Sequence, residues 1–140
     1  MLEKLYNLIT CDIILKKDMF KFDLGDALDK RYSEPFESKW LEVFGFLDKG
    51  KYDHTDIKYI DKIRELSFLK AYRNSKSDDL AALISDDFEI IPKAFIIRCN
   101  NPWLNSVANS YLNNIFPCGN IEESTLDIDD IIDRYIKASL

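Results

Sequence analysis

"DDLAALISDDFEIIPKAFIIRC", residues 78–99, decides the fold class. Leu80, Leu83 and Ile84 fall at helical spacing. Ser77 precedes them as a cap, and Asp78 and Asp79 occupy a first turn, where the helix dipole favours acids. The second half, "FEIIPKAFIIRC", reads two ways. Its Ile and Phe content suits a buried strand near 88–98. It also suits a helix kinked at Pro92, or two short helices. No second strong strand exists in the chain to pair with such a strand, so the helical reading is favoured. The fold expected is all-α.

Working outward, the same periodicity recurs on both sides. Leu5, Leu8, Ile9, Ile13 and Ile14 predict a first helix from Leu2 to about Lys17. Asp23 or Asp26 caps a short second one, weakened by Gly25. Ser33-Glu34-Pro35 restarts the chain, since Pro is pre-set for a first helical turn. Phe36, Trp40, Val43, Phe44 and Leu47 then form an apolar stripe ending near Gly50. Asp53 or Thr55 caps the next helix, where Ile57, Ile60, Ile63, Leu66 and Leu69 repeat to about Tyr72. "RNSKSDD" (73–79) is a polar loop.

Beyond it lies "NNPWLNSVANSYLNNIFP" (100–117), inside a stretch from Cys99 to Ile121 that carries no charged residue. Asn101 caps this helix and Pro102 takes its first turn. Its apolar residues come in pairs every four positions: Trp103-Leu104, Val107-Ala108, Tyr111-Leu112 and Ile115-Phe116. Such a repeat overshoots the 3.6-residue turn and winds slowly round the helix. Asn and Ser fill the gaps. That neutral face is either ordinary solvated surface or a surface that meets a partner through adaptable amides. A last helix opens at Ser124, with Ile128, Ile131, Ile132, Tyr135 and Ile136 on its core face. The expectation is one domain over 1–140, an irregular bundle of six to seven helices.

At 140 residues and 46% apolar, the chain can bury a core without a disulfide or metal staple. Its three cysteines, Cys11, Cys99 and Cys118, form no C-x-x-C and read as free thiols of a cytoplasmic protein. No apolar run approaches a membrane span. The net charge of −6 argues against nucleic acid and anionic membrane as partners. It suits a basic protein instead.

Motifs for chemistry are absent or weak. There is no phosphate-binding glycine loop. His54 is the only histidine, which removes most metal sites; catalysis by it beside Asp53 or Asp56 is a minor reading. The pairs Asp78-Asp79, Asp86-Asp87 and Asp129-Asp130 do not converge, because neighbours on a helix point about 100° apart. No metal or cofactor is expected.

The positive signal is acidic. Residues 71–140 hold six basic and eleven acidic side chains. From Ile121 to Asp133 come Glu122, Glu123, Asp127, Asp129, Asp130 and Asp133, with no base among them. Such a segment is either a solvated face or a patch that steers a basic partner.

One small acidic domain, rich in aromatics and without catalytic residues, is similar in profile to bacterial toxin-immunity proteins. That resemblance implies tight one-to-one binding to a cognate toxin, often a nuclease, at or beside its active site. The candidate contacts are Glu122, Glu123, Asp127, Asp130 and Asp133, with Asp86 and Asp87 as a second cluster and Trp103 and Tyr111 as anchors. Two alternatives stay open: a helical adaptor or regulatory protein of phage or bacterial origin, and an enzyme of unfamiliar type.

Overall fold

The computed structural model describes residues 1–140 and contains seven α-helices and no strand. They are α1 (Leu2–Thr10), α2 (Leu24–Arg31), α3 (Phe36–Asp48), α4 (His54–Ser75), α5 (Asp78–Ile97), α6 (Pro102–Leu112) and α7 (Ile128–Ala138), with one 3-10 turn at Lys17–Phe20. The segment near 88–98 is helical: α5 runs unbroken through Pro92. The Ser77 side chain accepts from Leu80 N–H at its start, and Arg98 closes it in the left-handed region. Its strand-like composition has a packing cause. Phe88, Ile90, Ile91, Pro92, Ala94 and Phe95 are all buried, so this half of α5 is apolar on most sides.

α4 and α5 form the central antiparallel hairpin, joined at Lys76 and Ser77, with Lys76 left-handed at φ 60°. A reciprocal capping box between Asp53 and Asp56 starts α4. α1 lies against α4 and α7, α3 against α5 and α2, and α6 against α7. The core they enclose is built around Leu5, Leu8, Ile63, Ile84, Phe88 and Tyr135. No helix is long and apolar enough to cross a membrane.

Four helix ends differ from the sequence reading. α4 runs on to Ser75 and α5 begins at Asp78, so only Lys76 and Ser77 of the expected 73–79 loop are non-helical. α1 stops at Thr10 because Asp12 and Leu15 turn left-handed, at φ 58° and 56°. Ile14 and Leu15 are still buried, but from a loop. α6 stops at Leu112, where Asn114 turns left-handed. Phe116 returns to the core, and Ile115 is left exposed. α7 begins at Ile128, not Ser124, with a capping box between Asp127 and Asp130. Ser124 instead holds the preceding loop: its hydroxyl accepts from Leu126 N–H, and its own N–H donates to Pro102 O.

Candidate partner-binding surface

The acidic candidates of the C-terminal segment are all at the surface. Glu122, Glu123, Asp127, Asp130 and Asp133 are exposed, as is Asp129. They are not equally free. Asp127 and Asp130 cap each other's backbone at the start of α7. Asp133 pairs with Lys137 at 2.8 Å, and Asp129 pairs with Arg98. Glu122 and Glu123 make no side-chain ion pair, so they are the least committed charges of this edge.

The second cluster splits. Asp86 is half-buried and reaches Arg64 at 2.7 Å. Burial raises its carboxyl above the usual range, with Asp87 and Glu89 adding to the rise and Arg64 opposing it. Asp87 has no exposed surface at all. Nor do the two aromatic anchors reach solvent: Trp103 packs edge-on against Phe36, and Tyr111 against Phe88. Asp87, Trp103 and Tyr111 are therefore corrected from partner contacts to interior groups. The helical period held the sign of this. Asp87 continues the buried stripe Leu80, Ile84, Ile91, and Tyr111 continues Leu104, Val107, Ala108.

What Asp87 does instead is hold four parts of the fold together. Both its oxygens accept from Arg31 of α2, each at 2.8 Å. Oδ1 also accepts from Trp40 Nε1–H of α3 at 2.9 Å, and Oδ2 from the Tyr111 hydroxyl of α6 at 2.5 Å. The guanidinium lies 4.4 Å from the Phe36 ring centre and 5.2 Å from that of Phe116. Burial works most strongly against the charge on Arg31, but Asp87 and Tyr111 together overcome it and the pKa is raised. The Tyr111 hydroxyl is pushed well above its ordinary range by burial and then by that same carboxylate. Sequence reading missed Arg31 and Trp40, and nothing local to either signals the pairing.

The Asn/Ser face of α6 is largely occupied by the chain itself. Asn105 is buried and donates to Asn100 Oδ1 at 2.9 Å and to Leu126 O at 3.1 Å. The Ser106 hydroxyl donates to Glu122 O at 2.6 Å. Asn114 donates to Ile13 O and accepts from Lys16 N–H. Neutral side chains suit this task, because a charge buried against backbone carbonyls would lack a counter-ion. The Asn105 and Ser106 contacts carry the 121–127 loop, whereas Asn114, just beyond α6, holds the 13–16 turn.

His54 is the first residue of α4, exposed, and gathers no metal-ligating partners. Beside the Asp87 network, Tyr32, Trp40, Leu41, Leu83, Glu37 and Asp86 line a groove between α2, α3 and α5.

Compared with known families, residues 4–118 match the model described as Immunity protein PIM1. The chain belongs to that family. An Immunity protein PIM1 member has a cognate toxin as its partner, and such proteins are typically inhibitors, not enzymes. No curated protein matches the sequence. The PIM1 match contains the whole Arg31–Asp87 network and the groove beside it. It ends at Cys118, before the acidic segment begins.

Proposed function

We propose that this chain neutralises a basic cognate toxin in the cytoplasm by binding it one-to-one and covering its active or substrate-binding surface. One observation carries the reading. Glu122, Glu123, Asp127, Asp130 and Asp133 are all solvent-exposed on one continuous loop and helix start, and the Asn105 amide and Ser106 hydroxyl of α6 hold that loop in place. A preformed acidic edge speeds encounter with a basic surface and discriminates between partners. A nuclease fits as the target, because an enzyme that grips phosphates carries the complementary basic cleft. The cytoplasmic setting fits three free thiols.

The test is affinity capture from the source cells at low and at high salt, followed by assay of the captured protein's activity with and without this chain. One basic protein retained in equal amount, and inhibited on reconstitution, supports the reading. A captured partner whose activity is unaffected overturns it.

A further inference from the structure

The groove between α2, α3 and α5 has a volume of about 170 Å³. Two of its walls are unusually open for their type: Tyr32 is 55% and Leu41 58% exposed. A third wall, Trp40, is fixed in position. The indole N–H is tied to Asp87, and the ring stacks on Phe44 at 5.3 Å. Arg31 lies in the floor, but its charge is spent on Asp87. Two carboxylates remain at the rim. Glu37 makes no ion pair, and Asp86 uses only Oδ1 on Arg64, leaving Oδ2 without a hydrogen bond.

This combination selects its occupant. A neutral apolar side chain would desolvate Glu37 and Asp86 without compensation. A planar cation with an aliphatic stem satisfies every wall, since guanidinium stacks on aromatic faces and pairs with carboxylates through fixed donors, as ammonium does not. We propose that the groove receives an arginine side chain of the toxin. Its methylenes lie on Leu41 and Leu83, and its guanidinium lies against Trp40 within reach of Glu37 and Asp86. The inference rests on the reading of a basic toxin partner and adds an anchor to it. The acidic edge steers, whereas a preorganised aromatic pocket supplies the lasting contact, as buried aromatic and arginine anchors do at other interfaces.

The test needs no toxin. The intact chain is titrated with a capped Gly-Arg-Gly peptide, and in parallel with its citrulline counterpart, which keeps the shape and loses the charge. The proposal expects saturable NMR shifts at the Trp40 Nε1–H and at the Leu41 and Leu83 methyls. Citrulline should bind at least about tenfold more weakly. Glu37→Gln should weaken the response and Leu41→Arg abolish it, each with an unchanged melting temperature. The pair Glu122→Lys and Glu123→Lys should leave it intact. No saturable shift at Trp40, an equal response to citrulline, or shifts centred on 122–133 would overturn the proposal. None of these results bears on whether the acidic edge steers a toxin, which the capture and association experiments decide separately.

Discussion

Asp87 presents both carboxylate oxygens to two guanidinium nitrogens of Arg31, each at 2.8 Å, and the two side chains have almost no exposed surface. Removing one partner leaves the other charged and buried. Asp87→Ala is expected to destabilise the fold by about 3–5 kcal/mol. Replacing both partners, as Arg31→Met with Asp87→Leu, should cost less than the sum of the single changes. Urea unfolding of the four proteins measures the coupling. Equal and additive losses would show that the pair is not a unit.

Alkaline stability should be steep. Burial raises the hydroxyl pKa of both Tyr111 and Tyr135 above the ordinary tyrosine range. The unfolded chain releases these protons near pH 10 while the folded chain keeps them. Their contribution is therefore complete below about pH 10 and is lost as pH rises from there through the folded pKa. Each group should lower stability by about 1.4 kcal/mol per pH unit in that window. Tyr111→Phe should remove its share of the slope, at the cost of one hydrogen bond to Asp87. Chemical unfolding at stepped pH between 9 and 12, with tyrosinate absorbance followed, checks both statements.

Charge and structure can be separated within the acidic edge. Glu122 and Glu123 are exposed and make no side-chain hydrogen bond, so reversing both to Lys should leave the melting temperature unchanged and slow toxin association at low salt. The effect should shrink as salt screens it. Asp127→Lys should also cost about 1 kcal/mol, because it removes the cap of α7. Stopped-flow association beside thermal melts distinguishes the two. An unchanged rate for the Glu122/Glu123 variant would remove the electrostatic argument.

Asn105→Ala should loosen the loop that carries these acids. The buried amide is the link from α6 to Asn100 and to Leu126 O. Its loss leaves Leu126 O unmatched, while Asn100 Oδ1 keeps Ile128 N–H, a cost of about 1–3 kcal/mol. Limited proteolysis should show faster cleavage between residues 119 and 127, with α4 and α5 still protected.

Three helix starts were legible because a cap coincided with a period, whereas Ser124 imitated a cap from within a loop. Asp53, Ser77 and Asn101 each start the helix expected of them, because capping is local chemistry. The errors lie where the chain turns without announcing it. Asp12 and Leu15 adopt left-handed conformations that no glycine marks, and apolar loops at 13–15 and 116 imitate helical spacing. The site divides in the same way. The exposure of the acids at 122–133 follows from composition and helical period, and the structure has them at the surface. The partners of a buried charge are chosen by tertiary contact, so Arg31 and Trp40 could not be seen, and Asp87 was mistaken for surface beside Asp86. The neutral face of α6 was read as solvated surface or partner contact, and its role as the seat of this chain's own loop depends on residues about twenty positions away.

The contact between α1 and α7 has a consequence for how the protein is made. α4 and α5 are neighbours in sequence and can zip together as soon as both have left the ribosome. α1, with buried Leu5, Leu8 and Ile9, packs on α4 as well, but its second partner, α7, lies far along the chain and is still inside the exit tunnel when the hairpin is complete. At ordinary elongation rates of roughly 5–20 residues per second, α1 rests for several seconds on α4 alone, with its α7-facing side uncovered. That interval is the natural point of chaperone engagement. It also makes the final packing of the first helix wait on the last.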